Sequence, residues 1–342
     1  MTQASHELFH IRDRSDVGAA RRAVDALASS AGVAEQESES AQIAATELGT
    51  NIIRHGEDGY LLLRLLDHCR GLEILAVDRG RGIADPAGAL SGVGATSGGL
   101  GVGLGSVRRL ATGFDLYTRV SKGTVVLGRF STGHSPDEME PGGSLRAGGV
   151  SLAVIPGDLN GDGWAVTLDE SSCSALVVDG LGHGPSAHQA AQVCLAAFDA
   201  EYDGDLCRWL GAAHRAMRQT RGGVAALARI DLAAGRVRFA GVGNIQGKVV
   251  GRGRTLGLVS QPGMMGTEYQ TPRPRLLDLP WIPGASLILW SDGIRSDVAF
   301  EPDTKLLTHD PTTVAAMLHR DFARGTDDAT VVIVQDCTGD RS

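Results

Sequence analysis

Four acidic residues in the second half of the chain lie where apolar runs begin or end. Asp179 and Asp292 each follow an apolar run and precede a glycine, Asp162 lies between two glycines, and Asp327 comes shortly before the final apolar run. A single Asp-Gly pair is usually a turn, but several such junctions at wide separations point to more than turns. Carboxylates at the mouths of buried strands repel one another unless cations lie between them. The pattern therefore predicts a site for two Mg²⁺ or Mn²⁺ ions, ~3.5–4 Å apart, that activate a water for attack on phosphorus.

A polar stripe lies on a predicted helix of the first half. Glu47, Asn51 and His55 are spaced four residues apart and share one helix face. An amide oxygen on that face could ligate Mg²⁺ while the carboxylate four residues away orients or deprotonates a hydroxyl. On this helix alone, a solvated polar face explains the stripe equally well.

Glycine-rich segments follow the stripe. Asp78 ends an apolar run and precedes Gly80 and Gly82, so its carboxylate could accept a hydrogen bond from an adenine amino group. Residues 96–110 carry glycines at alternate positions before a predicted helix, and bare amides at a helix start form a phosphate cradle. The run has no G-x-G-x-x-G register and the chain no G-x-x-x-x-G-K-[ST] loop, which disfavours the dinucleotide and P-loop alternatives.

Hydrophobic periodicity supplies the elements that must position these residues. In the first half it predicts helices at 16–31, at 37–54 and from about 106, a loop at 80–103, and strands at 8–11, 60–66, 72–77, 114–119 and 124–130. The second half is predicted to have helices at 185–200, 206–219 and 311–322 and strands at 151–155, 164–168, 175–178, 224–231, 236–241, 246–250, 275–279, 286–290 and 330–334. Between them, residues 131–149 are rich in Gly, Pro, Ser and acid and lack periodicity, which predicts a linker.

The motifs of the first half resemble the boxes of the GHKL ATPase fold. The similar segments are Glu47…Asn51…His55-Gly56, Asp78-x-Gly80-x-Gly82, Gly99-Leu-Gly101-Val-Gly103-Leu-Gly105 and the closing Lys122-Gly123-Thr124. Within that fold, about residues 8–130 are most similar to switch kinases and anti-sigma factors of the RsbT and SpoIIAB type. The resemblance implies ATP and Mg²⁺ binding and phosphorylation of a serine on a STAS-domain protein. It implies that Asn51 is a Mg²⁺ ligand and that Glu47 is the base. It implies that Asp78 binds adenine. The further cofactor-binding positions that it implies are His55, Gly80, Gly82, Gly99, Gly101, Gly103, Gly105 and Thr124.

The second half, about residues 146–336, resembles the SpoIIE and RsbX branch of the PPM metal-dependent phosphatases. The specific segments are Val178–Gly184, Ser291-Asp292-Gly293 and Asp327-Asp328-Ala329-Thr330. The resemblance implies hydrolysis of phosphoserine or phosphothreonine on a protein, with Asp179 and Asp292 at the centre of catalysis. The implied metal ligands are Asp162, Asp179, the Gly180 carbonyl, Asp292 and Asp327. Asp158 is the rival of Asp162, and Asp328 is the rival of Asp327.

Composition narrows the function classes. The 342 residues are 42% hydrophobic and 21% charged with a net charge of −8, which excludes a mainly disordered chain and disfavours nucleic-acid binding. The five cysteines form no C-x-x-C pair, which fits a reducing compartment rather than a disulfide framework. We find no signal-peptide pattern and no apolar run of the ~20 residues that a membrane helix needs. The expected location is the cytoplasm, with no membrane partner.

These observations predict an α+β protein with two domains. A GHKL (Bergerat) ATPase α/β sandwich is expected at 1–130, a linker at 131–147, and a PPM-type αββα phosphatase sandwich at 148–337. The leading hypothesis is a bifunctional partner-switching regulator that phosphorylates and dephosphorylates STAS-domain antagonists or stressosome-type scaffolds, with a sigma factor or another protein as output. The alternatives are a phosphatase regulated by a non-catalytic ATP-binding domain and a sequestering protein of the anti-sigma type.

Overall fold

The chain folds into two compact units. The computed structural model describes residues 2–3, 6–66, 71–91, 100–132, 144–251, 253–267, 272–298 and 305–338. The N-terminal unit comprises His6–Pro141 and Thr308–Met317, and the C-terminal unit comprises Met1–Ser5, Gly142–Leu307 and Leu318–Ser342. None of the helices in these described ranges combines the length and apolar character that a membrane span requires.

The N-terminal unit is a five-stranded antiparallel sheet with helices on one face. Its helices are α1 (Arg14–Ala31), α2 (Glu35–His55), α3 (Pro86–Ser91) and α4 (Leu100–Leu110). Its strands are β2 (Glu7–His10), β3 (Tyr60–Leu66), β4 (Gly71–Asp78), β5 (Gly113–Arg119) and β6 (Gly123–Phe130), in the spatial order β2-β3-β4-β6-β5. Alternate apolar residues of the strands, such as Leu61, Ile74 and Val126, face the helices and pack against Val24 and Leu48.

The two long helices have clear sequence causes. Asp13 caps α1 by accepting hydrogen bonds from the Ser15 and Asp16 amides, and the Asp16 carboxylate accepts one from the Asp13 amide. Gly32, with φ at 64°, ends α1 in the left-handed conformation that favours glycine. Helix α2 extends through His55, so Glu47, Asn51 and His55 all lie within one continuous helix.

The prediction of a continuous loop over residues 80–103 is wrong, because parts of this segment are helical. Helix α4 begins at Leu100 and passes through Gly101, Gly103 and Gly105, and α3 interrupts the remaining segment. Packing explains the difference, because Leu104 and Val107 are buried in the core and stabilise a helix that its glycines disfavour. Gly99 and residues 92–98 lie outside the described residues.

A buried charge network occupies the face of the sheet opposite the helices. Glu73 on β4 lies directly between Arg64 on β3 and Arg129 on β6 in the strand register, and its carboxylate contacts both guanidinium groups, at 2.6 and 2.8 Å. Arg129 also contacts Asp310, whose carboxylate accepts two hydrogen bonds at 2.7 and 2.9 Å, and Thr312. These bonds explain why Thr308–Met317 packs within the N-terminal unit although the prediction assigned it to the second domain.

Two antiparallel sheets form the C-terminal unit. One contains β1 (Thr2–Gln3), β8 (Asp162–Leu168), β9 (Ser172–Gly180), β10 (Gly223–Asp231), β11 (Arg236–Val242) and β14 (Leu277–Pro280), in the order β1-β8-β9-β10-β11-β14. The other contains β7 (Leu145–Leu152), β12 (Gln246–Gly251), β13 (Arg254–Val259), β15 (Ser286–Trp290) and β16 (Ala329–Asp336), in the order β13-β12-β15-β16-β7. Helices α5 (Pro185–Glu201), α6 (Leu206–Ala216) and α7 (Pro311–Phe322) complete the fold, and α7 divides between the units.

Both faces of the first sheet are buried. Trp164 and Val177 pack against Leu287 and Val332 of the second sheet, while Leu176 and Val178 pack against α5 and α6. Alternation of the side chains explains why these strands read as continuous apolar runs.

Several observed bounds depart from the predicted ones. Strand β7 begins at Leu145, inside the predicted linker, because its residues pair with β16 along their whole length. The pattern missed β13, which pairs only with β12 and has few buried residues, and β1, which joins the first residues of the chain to β8. The end of the predicted helix at 206–219 is a 3₁₀ turn, Met217–Gln219.

Candidate functional site

Two of the three residues in the polar stripe of α2, Asn51 and His55, line a cavity of the N-terminal unit. The cavity is lined by the apolar side chains of Leu48, Ile52, Ala76, Ile83, Leu104 and Val126 and by the polar residues Asn51, His55, Asp78, Arg81, Gly82 and Thr124. An apolar slot with a few polar groups at its rim is the kind of lining that small-molecule sites use. Six of the predicted cofactor-binding or metal-binding residues therefore lie together. Asn51, His55, Asp78, Gly82 and Thr124 line the cavity, and Gly80 lies in the sequence between Asp78 and Gly82.

Two side chains of the stripe carry buried polar atoms with no partner in the described residues. These atoms are Asn51 Nδ2 and His55 Nε2. Arg81 donates to His55 Nδ1 at 3.0 Å, so the neutral imidazole carries its proton on the unpartnered Nε2. Burial, followed by the Arg81 and Arg54 charges, lowers the pKa of His55 and favours that neutral form. A buried donor without a partner is costly, so the His55 Nε2–H fits a ligand that accepts hydrogen bonds. The Asn51 amide can be oriented either way and so can present its nitrogen or its oxygen to that ligand.

The turn after Asp78 is built for close backbone approach. The Asp78 carboxylate accepts a hydrogen bond from the Gly80 amide at 2.7 Å. A Cβ at Gly80 would lie 2.4 Å from the His55 carbonyl oxygen, and one at Gly82, where φ is 68°, would lie 2.2 Å from the Arg119 carbonyl oxygen. Glycine at both positions therefore lets the turn pack closely against the end of α2, through Gly80, and against the end of β5, through Gly82.

The opposite wall of the cavity comes from β6. Thr124 pairs with Asp78 in the strand register and is 7% exposed. Its hydroxyl lies 3.1 Å from the Thr118 hydroxyl, which also accepts a hydrogen bond from the Ile83 amide. This chain of contacts fixes Thr124 beside the adenine-binding position predicted for Asp78.

The glycines of α4 divide between two environments. Gly101 and Gly103 lie in the first turn, where amides have no partner within the helix and can bind an anion. A Cβ at Gly103 would lie 2.6 Å from Glu47 Oε2, so the predicted base reaches the start of α4. Gly105 is beyond the first turn, and a Cβ there would lie 2.8 Å from the Leu90 carbonyl oxygen. Its lack of a side chain lets α4 pack against α3, and its predicted place in a phosphate cradle stays a prediction.

The aspartates of the C-terminal unit meet at one end of its sheets. Asp162 at the start of β8 pairs with Asp179 near the end of β9. Burial and then the carboxylates of Asp162, Asp292, Asp327 and Asp328 raise the pKa of Asp179 to about 9. Such mutual repulsion among buried acids indicates a place where cations would be stabilised.

Hydrogen bonds orient Asp162 and Asp292. Asp162 Oδ2 accepts from the Ser291 hydroxyl at 2.6 Å, and burial raises the pKa of Asp162 to about 7 although hydrogen bonds from Ser291 and Thr330 oppose the shift. Asp292 Oδ2 accepts from Asn244 Nδ2 at 2.6 Å, and burial followed by the Asp327 charge raises the pKa of Asp292. Sequence reasoning missed Asn244 and the orienting role of Ser291, although Ser291 stands inside the quoted Ser291-Asp292-Gly293 segment.

The structure distinguishes the two acids within each pair of rival ligands, Asp327 from Asp328 and Asp162 from Asp158. Asp328 is buried and accepts hydrogen bonds from the Val154 and Gly161 amides at 2.7 and 2.6 Å, so both of its oxygens are engaged by backbone. Asp327 is half-buried, and one of its oxygens accepts from the Asp328 amide. Asp158 is exposed and accepts from its neighbour's amide, whereas Asp162 is 5% exposed and faces the other acids. This geometry favours Asp327 and Asp162 as ligands.

The chemistry of this donor set fits divalent cations. The carboxylates couple electrostatically, yet no three His, Cys, Asp or Glu side chains among the described residues enclose a single ion position. Hard cations such as Mg²⁺ keep several waters and need only one or two carboxylates each, so an open cluster suits them. A Cβ at Gly180 would lie 2.2 Å from the Ala187 carbonyl oxygen, which ties the end of β9 closely to α5. His183 is exposed, and His188 contacts the Asn160 carbonyl oxygen at 2.8 Å.

Comparisons with known proteins match one family model to each of two parts of the chain. Residues 12–130 match the family model of the histidine kinase-like ATPase domain, and residues 169–335 match that of Stage II sporulation protein E (SpoIIE). No curated protein matches the chain.

Solved structures also match parts of the chain. A structure from work on the bacterial stressosome, a modular system adapted to control secondary messenger signaling, is 28% identical with a TM-score of 0.51 and covers 56% of this chain and 99% of its own. RsbX in complex with magnesium is 16% identical, with a TM-score of 0.49 and coverage of 56% and 94%. The PP2C phosphatase domain of SpoIIE from Bacillus subtilis, with a fragment of its regulatory domain, is 16% identical, with a TM-score of 0.45 and coverage of 78% and 79%.

Proposed function

Because the chain joins a histidine kinase-like ATPase domain to a phosphatase domain of the SpoIIE family, we propose that it is a metal-dependent phosphoserine and phosphothreonine protein phosphatase combined with an ATP-dependent serine kinase. The phosphatase rests chiefly on one observation, the meeting of the acids at one end of the sheets, where Asp162 pairs with Asp179 and accepts a hydrogen bond from Ser291, the neighbour of Asp292. In this proposal both activities act on STAS-domain antagonists or stressosome-type scaffolds in the cytoplasm. The free thiols of the four described cysteines support a reducing compartment.

In the C-terminal unit, Asp162, Asp179, Asp292, Asp327 and the Gly180 carbonyl would hold two Mn²⁺ or Mg²⁺ ions. Such ions supply Lewis-acid activation of water and neutralise charge on the phosphoryl group. The chain's own contribution is orientation of the ligands by hydrogen bonds.

The orienting bonds come from neighbouring side chains. The Ser291 hydroxyl and Asn244 amide hold Asp162 and Asp292, at 2.6 Å each. Asp328 ties the Val154 and Gly161 amides to β16 and so fixes the loop before β8.

In the N-terminal unit, the cavity and the start of α4 would hold ATP and Mg²⁺. Asp78 accepts a hydrogen bond from the adenine amino group, and the amides at the start of α4 bind phosphate oxygens. Asn51 holds Mg²⁺ through its amide oxygen, since the amide can be oriented either way.

The kinase activity depends on Glu47. In the proposed step Glu47 takes the proton of the substrate serine hydroxyl as that oxygen attacks the γ-phosphorus, and ADP leaves. Support for this role comes from the position of Glu47 Oε2 near Gly103, at the start of α4. If Glu47 fails this role, a phosphatase with a regulatory ATP-binding domain is the second candidate function.

Two variants separate the activities. The full chain is incubated with radiolabelled ATP, Mg²⁺ and a STAS-domain protein encoded beside it, and then with the phosphorylated protein and Mn²⁺. We expect D179N to lose phosphate release while keeping phosphate transfer, and N51A to do the reverse. D158N is the matched control, because Asp158 is exposed and is not among the carboxylates that raise the pKa of Asp179.

The outcomes distinguish the candidates. Transfer absent from the wild type, with phosphate release intact, would leave only the phosphatase with a regulatory domain. Absence of both reactions would contradict the proposal.

A further inference from the structure

An arginine outside the predicted sites lies beside the loop that follows Asp179. Arg221 follows the 3₁₀ turn Met217–Gln219 and precedes β10. Its two terminal guanidinium nitrogens lie 3.6 and 3.7 Å from the point that a Cβ would occupy at Gly182. Gly182 is three residues beyond Asp179. The guanidinium therefore borders the loop that carries a central acid of the cluster.

The turn that carries Arg221 is fixed by hydrogen bonds on both sides. The Thr220 hydroxyl donates to the Met217 carbonyl oxygen at 2.7 Å and accepts from the Gly222 amide at 3.0 Å. The Leu181 amide donates to the Gly222 carbonyl oxygen at 3.0 Å. These bonds join the turn to the segment after Asp179, so they fix the position of the Arg221 backbone beside that segment.

The side chain of Arg221 is exposed and available. It makes no ion pair or hydrogen bond within the part of the chain that the structure describes, although several carboxylates lie in the adjoining cluster. Gly182, where φ is 79°, leaves open the space in front of the guanidinium that another side chain would fill. An unpaired guanidinium at the rim of an acidic site is suited to an incoming dianion, since it binds phosphate through two parallel hydrogen bonds.

We propose that Arg221 binds the phosphoryl oxygens of the phosphoserine or phosphothreonine substrate at the aspartate cluster. This inference rests on the proposed phosphatase function and deepens it by naming a substrate-binding residue. Arg221 supplies positive charge to the phosphoryl oxygens, while the aspartates would be engaged with the metal ions. It therefore acts on substrate affinity, and metal affinity is set by the aspartates.

The test compares R221A and R221K with R218A in the full chain loaded with Mn²⁺. Arg218 is an exposed arginine three residues away, so R218A makes the same change in net charge. We measure KM and kcat for p-nitrophenyl phosphate, and the inhibition constant of inorganic phosphate. Calorimetry gives the dissociation constants of Mn²⁺ and, on the Mn²⁺-loaded protein, of inorganic phosphate.

The expected result is a rise of about 10- to 100-fold in KM and in the inhibition and dissociation constants of phosphate for R221A, as expected for lost charge-assisted hydrogen bonds. R221K keeps the charge but not the fork geometry, so its rise is smaller. Mn²⁺ affinity stays within twofold in each variant, and R218A resembles the wild type.

Two results would overturn the proposal. One is R221A with phosphate constants within twofold of the wild type, and the other is an equal loss in R218A. A changed Mn²⁺ affinity in R221A would also contradict it, by showing that Arg221 supports the metal loop instead. If the wild type hydrolyses no phosphate ester, the phosphatase proposal fails, whereas phosphate calorimetry still decides whether Arg221 binds the anion.

Discussion

Removal of the Arg129 side chain is expected to destabilise the N-terminal unit strongly. R129L takes away a guanidinium that contacts Glu73 at 2.8 Å and Asp310 at 2.7 Å, where the Glu73 side chain is fully buried and that of Asp310 is 9% exposed. Loss of one partner from a buried pair costs about 3–5 kcal/mol, because the remaining charge keeps its desolvation cost. Arg64 stays within 2.6 Å of Glu73, which places the expectation toward the lower part of that range.

The assay must follow each unit separately. All four tryptophans, Trp164, Trp209, Trp281 and Trp290, lie in the C-terminal unit, so their fluorescence reports unfolding of that unit. For the N-terminal unit, we use hydrogen exchange of the β4 and β6 amides, resolved by mass spectrometry. R129L is expected to lower the free energy of opening of these strands by about 3 kcal/mol, which accelerates exchange roughly 100-fold.

An exposed pair supplies the control. Arg236 and Asp278 are joined at the same 2.8 Å distance, but their side chains are 39% and 41% exposed. R236L is expected to change the free energy of unfolding of the C-terminal unit, measured by urea titration and tryptophan fluorescence, by no more than about 1 kcal/mol. An effect of R129L below about 1 kcal/mol would refute the reasoning that burial gives this network its importance.

Three further predictions concern pH, backbone space and metal. Burial raises the pKa of Glu73, but the Arg64 and Arg129 charges outweigh it and hold that pKa far below its ordinary 4.5. The network therefore stabilises the fold above about pH 4.5 and loses that contribution as pH falls below it. Acid should accordingly accelerate hydrogen exchange of the β4 amides less in E73Q than in the wild type. G82A places a Cβ 2.2 Å from a carbonyl oxygen at a φ of 68°, so calorimetry should show at least tenfold weaker ATP binding, whereas G157A, at a φ of 85° with open space, should bind ATP normally. A chelator should abolish phosphate release, and Mn²⁺ should restore it in the wild type but not in D179N.

The sequence predicted the strands that carry the acids because their physical signal is local. The apolar runs before Asp179 and Asp292 are buried on both faces, so they read clearly without knowledge of their neighbours. The five-residue strand Ser286–Trp290 has the predicted bounds, and the grouping of Asp78 with Thr124 follows from pairing of β4 with β6.

The remaining features depend on contacts between distant residues. Gly105 packs against α3 because the Leu90 carbonyl oxygen lies close to it, and no local sequence pattern shows this contact. Asn244 and Arg221 belong to segments without a recognisable motif, and their positions beside Asp292 and Gly182 follow from the sheet topology. Asp310 is separated by 181 residues from Arg129, so neither residue alone indicates the buried network.

Calorimetric titration of Mn²⁺ into the wild-type chain and D179N tests most directly whether the acids of the C-terminal unit bind divalent cations. We expect the wild type and the D158N control to take up two ions per chain, and D179N to lose at least one of them. Equal uptake by D179N and the wild type, or no uptake by the wild type, would contradict the assignment of the aspartate cluster as a metal centre.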